Sequence, residues 1–346
     1  MKKVLFIEYV LETGHVNYNR IHIDALMAQG TDVHLVLHQF TKDLLPYPDN
    51  RYALVLPHCL YQRQRATIWK PIINRIVFLI TLIYIRIKVS FKSYDKVILS
   101  GFDELSLGIF PLCKNMYLTC HRNAAFFNIP LKRFILKRLA RKNRFLVFNE
   151  DMKRPFLENG ISKVDVVSHG CISPYTPHDD IAFPVQKDGY DMMVFHPSNS
   201  CDKEFMLSIV QDARFQDFLK HENILFVLRD IGNFQPTSNI RIIKEAIPFQ
   251  VYQQQFLASD VILVAYPDDF RYRVSGVSYE CAANGKRMLA KKLPALEYCE
   301  SFFNYSPFFS DVDELCSQLR YLKENPQAQC IATSESLRPD YAAILS

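Results

Sequence analysis

Residues 258–292 read ASDVILVAYPDDFRYRVSGVSYECAANGKRMLAKK. The apolar run 261–265 has the length and β-branched content of a buried strand. A polar loop follows it. Ser275-Gly276 then opens a helical stretch that Asn284-Gly285 closes, and residues 287–290 return as a second strand. A strand, a helix and a strand in so short a span form a crossover unit, which joins parallel strands with a right-handed connection.

The helix start carries the chemistry. Its first N–H groups have no intrahelical acceptor, and the helix dipole favours negative charge there. Gly276 lets a diphosphate approach the backbone, and Ser275 adds a hydroxyl and caps the helix. Glu280 lies one turn further on the same face, where a carboxylate can accept both hydroxyls of a ribose. The plain alternative is a crossover with an ordinary N-cap.

The same alternation extends in both directions. Strand-like runs lie at residues 4–9, 33–37, 53–56, 96–99, 116–119, 145–148 and 164–167, and again at 192–196, 224–228 and 240–243. Helical patterns are expected at 203–210, 249–258, 277–284 and 312–323, and before Gly30. Residues 173–190 interrupt the pattern with three prolines and little periodicity, which marks a linker. At 346 residues the chain suits two domains. The expected fold is α/β with two doubly wound, Rossmann-like domains, residues 1–180 and 181–346, facing across a cleft. The last helix is able to return to the first domain.

Composition narrows the chemistry. No signal peptide is visible ahead of the first strand. The nine cysteines form no C-x-x-C pair, which fits reduced thiols in a cytoplasmic protein. The ten histidines show no ligand spacing. Asp311-Val312-Asp313 matches a metal-binding D-x-D by letter, but it opens a helix, where acids are expected as caps. No metal and no cofactor are expected.

Positive charge is unevenly spread. Residues 63–92 hold seven Lys or Arg and no acid, around an uncharged run, 76–85, too short to span a bilayer. A second basic cluster runs from 132 to 144, with Arg133, Lys137 and Arg141 on one helix face. One reading is a buried helix of the domain; the other is a basic amphipathic surface on an anionic membrane. No nucleic-acid motif accompanies the charge.

The 258–292 segment, with its Glu280-Cys281-Ala282-Ala283-Asn284-Gly285 core, resembles the donor motif of GT-B glycosyltransferases. The likeness is strongest to the retaining family 4 enzymes of polysaccharide and lipopolysaccharide assembly. The tail 310–326 resembles that family's C-terminal helix. Glu12-Thr13-Gly14-His15 is similar to its glycine loop, Met116–Cys120 with His121 to its strand-then-histidine arrangement, and Lys203 to its phosphate-binding lysine. The resemblance implies a metal-independent hexosyltransferase acting with retention. Its donor is a nucleoside-diphosphate sugar, and its acceptor a saccharide or lipid-linked glycan. The basic clusters, the cysteine pattern and the lack of a visible signal peptide set the expectation of an enzyme bound peripherally to an anionic membrane surface on the cytoplasmic side, without nucleic acid.

The roles carried over are Lys203 and Arg273 on the diphosphate, Ser275 and Gly276 as donors to it, and Glu280 on the ribose. His121 falls beside the donor sugar, and Gly14 and His15 near the acceptor. Two positions depart from the pattern. The family's partner glutamate falls at Tyr272, with Asp268 or Asp269 as replacements. An arginine expected just after Phe195 is missing, with Arg273 or Arg229 as replacements. Inversion would need a base from the first half; Glu12, Asp103 and Glu104 are candidates. The rival readings are a sugar-nucleotide 2-epimerase on the same fold and a non-catalytic homologue that binds a partner.

Overall fold

The computed structural model describes residues 1–10, 15–61, 69–178, 180–197, 200–229, 231–232, 234–245 and 247–346. The chain divides into two compact units, Met1–Gly170 with Arg338–Ser346, and Cys171–Leu337.

The first unit contains strands β1 (Lys3–Glu8), β2 (Asp32–His38), β3 (Tyr52–Leu56), β4 (Lys96–Gly101), β5 (Met116–Thr119), β6 (Arg144–Val147) and β7 (Val164–Val166). They form one parallel sheet in the order β3-β2-β1-β4-β5-β6-β7. Helices α1 (His15–Ala28), α2 (Gln39–Leu44), α3 (Lys70–Lys88), α4 (Glu104–Ile109), α5 (Pro130–Ala140) and α6 (Glu150–Glu158) connect them. The second unit has β8 (Met192–His196), β9 (Ile224–Arg229), β10 (Ile240–Ile243), β11 (Val261–Val264), β12 (Arg287–Lys291) and β13 (Phe308–Phe309), in the order β10-β9-β8-β11-β12-β13. Its helices are α7 (Lys203–Gln211), α8 (Ala213–His221), α9 (Phe249–Ala258), α10 (Gly276–Asn284) and α11 (Val312–Glu324), and α12 (Ala342–Leu345) belongs to the first unit.

Both sheets are doubly wound. A parallel sheet covered on both faces requires unbroken apolar runs, and β8 (MMVFH) and β11 (VILV) are buried at every position. In each unit the strand order reverses beside the first strand, between β1 and β4 and between β8 and β11. Such a reversal leaves a crevice at the carboxyl ends of the strands, where ligands of this architecture bind.

The described residues of 173–190 form no helix or strand. They nevertheless pack on the second unit: the N–H groups of His178 and Val185 donate to Gln254 and Gln255 of α9, both at 3.0 Å. Contacts therefore divide after Gly170, ahead of the compositional linker. The D-x-D letters are a helix cap. Asp311 accepts from the N–H of Glu314, and the Glu314 carboxylate accepts from the N–H of Ser310.

Candidate functional site

In the second unit the polar groups gather at the reversal point. The N-cap of α10 is Ser275, whose hydroxyl accepts from the N–H of Ser278 and bonds the Tyr266 hydroxyl at 2.9 Å. The N–H of Ser275 donates to the Tyr298 hydroxyl at 2.8 Å, so this backbone donor is already used. Gly276 is exposed, and a Cβ there would meet nothing within 4 Å. Gly285 ends the helix in the left-handed conformation that glycine tolerates, at φ 61°. The loop before α10 folds on itself. Tyr266 and Phe270 stack at 3.9 Å, the Arg273 guanidinium lies 5.6 Å from the Phe270 ring, and Tyr272 adopts φ 53°.

Three polar side chains of this edge have buried atoms with no hydrogen-bond partner among the described residues. They are the Nε atoms of Arg229 and Arg273 and both ring nitrogens of His196. His196 ends β8 and pairs in register with Leu228, so Arg229 follows directly on the neighbouring strand. Burial lowers the His196 pKa to about 4, which keeps the ring neutral. A buried donor left unmatched costs about 1–3 kcal/mol, and an anion at the crevice would relieve it.

Lys203 is exposed in the first turn of α7. Its neighbour Asp202 caps that helix, and the Asp202 N–H bonds the carbonyl of Ala265 at 2.7 Å, tying the start of α7 to the end of β11. Lys291, not singled out by the sequence, joins Asp202 at 2.7 Å and Asp268 at 2.9 Å. Asp268, one of the candidate replacement acids, is thereby engaged.

The Glu280 carboxylate accepts from the Tyr252 hydroxyl and lies against Tyr175. Burial raises its pKa to about 7, and the neighbouring Tyr252 and Tyr175 hydroxyls act in the opposite direction. A carboxylate has about four acceptor sites, so the Tyr252 hydrogen bond leaves capacity for further hydroxyl groups.

In the first unit, His15, His121 and Glu8 come together. The rings of His15 and His121 stack at 4.1 Å, and Tyr18 meets His121 edge-on at 4.7 Å. Glu8, at the end of β1, is buried; Oε1 stands 3.3 Å from His15 Nδ1, and Oε2 accepts from Asn19 at 2.7 Å. The Ser100 hydroxyl donates to the side-chain Oδ1 of Asn19. The carbonyl of Ser100 accepts from His121 Nε2 at 2.7 Å. Burial first, then His15, pushes the His121 pKa well below its usual value, so the ring is neutral with its proton on Nε2. Behind this pair, His22 donates to the His169 carbonyl at 3.0 Å and bonds the Tyr341 hydroxyl at 2.6 Å.

Of the acids named as candidate bases, Asp103 caps α4 by accepting from Ser106, and Glu104 is buried against Lys132 at 2.6 Å. Gly14 and Glu12 lie outside the described residues. Glu8 escaped the sequence reading because it closes an apolar strand. A carboxylate at the end of an otherwise apolar run was the available signal.

These two doubly wound units have known counterparts. The chain has the GT-B fold. It superposes on Anabaena HepE, solved in complex with UDP and glucose, with a TM-score of 0.57 over 98% of this chain and 94% of that one, at 13% identity. An E. coli trehalose-6-phosphate protein bound with UDP-2-fluoro glucose gives 0.60 over 92% and 90%, at 11% identity. The UDP-GlcNAc 2-epimerase of Neisseria meningitidis, bound to UDP-GlcNAc, gives 0.54 over 94% and 92%, at 14% identity. Glycosyltransferases and epimerases thus share this GT-B architecture, and the likeness is one of fold. No protein-family profile and no curated protein sequence matches the chain.

Proposed function

We propose that this GT-B chain transfers a sugar from a nucleoside-diphosphate sugar to a hydroxyl group of a saccharide or lipid-linked glycan, in cell-surface polysaccharide assembly. The observation that carries the reading is the pair of buried guanidinium Nε atoms, of Arg229 at the carboxyl end of β9 and of Arg273 in the loop before α10, that find no acceptor among the described residues. A diphosphate would give both an acceptor. Gly276 and the dipole of α10 would add to the stabilisation as the leaving group gains charge, and Lys203 would complete the positive set. Glu280 would take the ribose hydroxyls alongside the Tyr252 hydroxyl.

The acceptor proton has a candidate base. With His15 Nδ1 facing Glu8, the carboxylate orients the imidazole and stabilises its cation, leaving Nε2 to receive a proton. A retaining route needs no such base, since the departing phosphate can take the proton. The oriented His15 therefore supports inversion over the retention that the family 4 resemblance implies. The proposal uses no metal: the side-chain cations and the N–H groups at the start of α10 are its partners for the diphosphate.

The stacked imidazoles His15 and His121 support a second reading, epimerisation of the donor sugar through proton abstraction. UDP-sugars are the first donors to test, as the structural neighbours carry UDP. Wild-type protein with a UDP-sugar and a hydroxyl acceptor should form a glycoside whose anomeric coupling, read by NMR, gives the stereochemistry. Conversion of the donor without acceptor would select the epimerase. Failure of every nucleoside diphosphate to bind would refute both.

A further inference from the structure

Outside these sites, the first unit carries an apolar helix face that ends at a basic cavity. Helix α3 exposes Trp69, its N-cap, followed by Ile72, Ile76, Ile80, Ile83 and Ile87; Trp69 is 65% exposed and Ile87 74%. The three- and four-residue steps put them on one face, along roughly 28 Å of helix. The opposite face supplies Phe78, Leu82 and Ile85 to the core. Helix α3 packs on α4, and α4 on α5. That second contact is close, since a Cβ on Gly108 would lie 2.5 Å from Ile135 Cγ2. The neighbouring helices expose Ile109, Leu131 and Phe134.

At the C-terminal ends of these helices, and at the amino ends of β4, β5 and β6, lies a cavity of about 750 Å³. Six cations line it: Arg86, Lys92, Lys114, Arg138, Arg141 and Lys142. All six are exposed, and none makes an ion pair among the described residues. The single acid in the lining, Asp95, accepts from the N–H of Lys3 at 2.8 Å. The cavity is on the sheet edge opposite the carboxyl ends that carry His15 and His121.

We propose that this face docks on an anionic bilayer, with the α3 stripe against the acyl boundary and a phosphate-bearing lipid headgroup in the cavity. Apolar side chains beside unpaired cations match the two layers of such a surface, and that pairing selects a bilayer over a protein partner. No described helix is long and apolar enough to cross a membrane, so the contact is peripheral. The docking is independent of the donor-site reading, because it uses different residues on the opposite sheet edge.

Trp69 is the only tryptophan of the chain and therefore reports on its own surface. The test uses the full chain with phosphatidylcholine vesicles, with phosphatidylcholine vesicles containing phosphatidylglycerol, and with sodium phosphate in solution. The wild type should sediment with the anionic vesicles only, and its fluorescence should shift to the blue as it does. Substituting Arg138→Gln, Arg141→Gln and Lys142→Gln together should lower partitioning on the order of 100-fold. Substituting Ile76→Gln, Ile80→Gln and Ile87→Gln together should also release the protein and remove the blue shift. An unchanged thermal midpoint certifies that both variants are folded. Equal sedimentation with neutral vesicles, or retained partitioning in either folded variant, would overturn the proposal. So would phosphate binding without any vesicle association, which would mark a free-anion site. A blue shift that grows with protein concentration in the absence of lipid would assign the stripe to a second copy and would overturn it too.

Discussion

Glu280→Gln separates what the carboxylate does for binding from what it does for stability. Burial raises the Glu280 pKa from 4.5 to about 7. The folded state therefore holds this proton more tightly than the unfolded chain does. The resulting stability is fully present below about pH 4.5 and is lost as pH rises through about 7. The shift corresponds to roughly 3 kcal/mol at most. Since residue 280 is half-buried, solvent reduces that figure, and about 1–2 kcal/mol is expected at pH 8. Glutamine keeps the shape and one acceptor for Tyr252 without the ionisation. The variant should consequently melt about 2–8 °C higher than wild type at pH 8, while the two should nearly coincide at pH 5. Nucleoside diphosphate binding should move the other way, weakening roughly tenfold to a hundredfold with every donor sugar that shares the nucleotide. Paired thermal melts at both pH values and a calorimetric titration measure the two effects. A variant that is less stable at pH 8 and binds the nucleotide like wild type would refute both the ionisation argument and the ribose assignment.

Arg229→Met and Arg273→Met should each weaken nucleoside diphosphate binding at least tenfold while leaving the melting midpoint unchanged or higher, because each removes an unmatched buried donor; a calorimetric titration beside a melt checks this. His15→Gln and Glu8→Gln should both lower kcat with little change in donor affinity, the Glu8 variant less severely, as steady-state kinetics and a donor titration will show. His121→Ala should reduce turnover while nucleoside diphosphate affinity stays within about twofold, a pattern opposite to that of Glu280→Gln. Turnover should persist in excess EDTA; loss on chelation with recovery on added Mg²⁺ would require a metal that the proposed charge set does not use.

Much of the architecture was legible in the chain because it depends on local patterns. Strand β11 is readable as four consecutive buried apolar residues, and α10 as the interval between a serine cap and a left-handed glycine. The reversal of strand order follows once the runs alternate with helices, since right-handed crossovers leave few topologies. The short β13 and the helix α8 passed unread, the first being two residues long and the second following α7 after only Asp212.

The sites divide along the same line. Ser275, Gly276 and Glu280 could be named from sequence because a helix start and its first turn are a single stretch of chain. Their occupancy could not. The Tyr298 hydroxyl that takes the Ser275 N–H and the Tyr252 hydroxyl that meets Glu280 arrive from 23 and 28 residues away. Glu8 became a partner for His15 only when β1 placed it at the carboxyl edge of the sheet, and His22 met Tyr341 across 319 residues. Unmatched charge is likewise a tertiary property: an arginine in the sequence carries no sign of whether folding will supply a carboxylate. In Arg144 it did, with Asp165 at 2.6 Å. In Arg229, Arg273 and the cations of the basic cavity it did not among the described residues. Apolar and polar periodicity determined which segments became strands and helices; the packing of distant segments decided which polar groups were satisfied within the chain and which were left for a ligand.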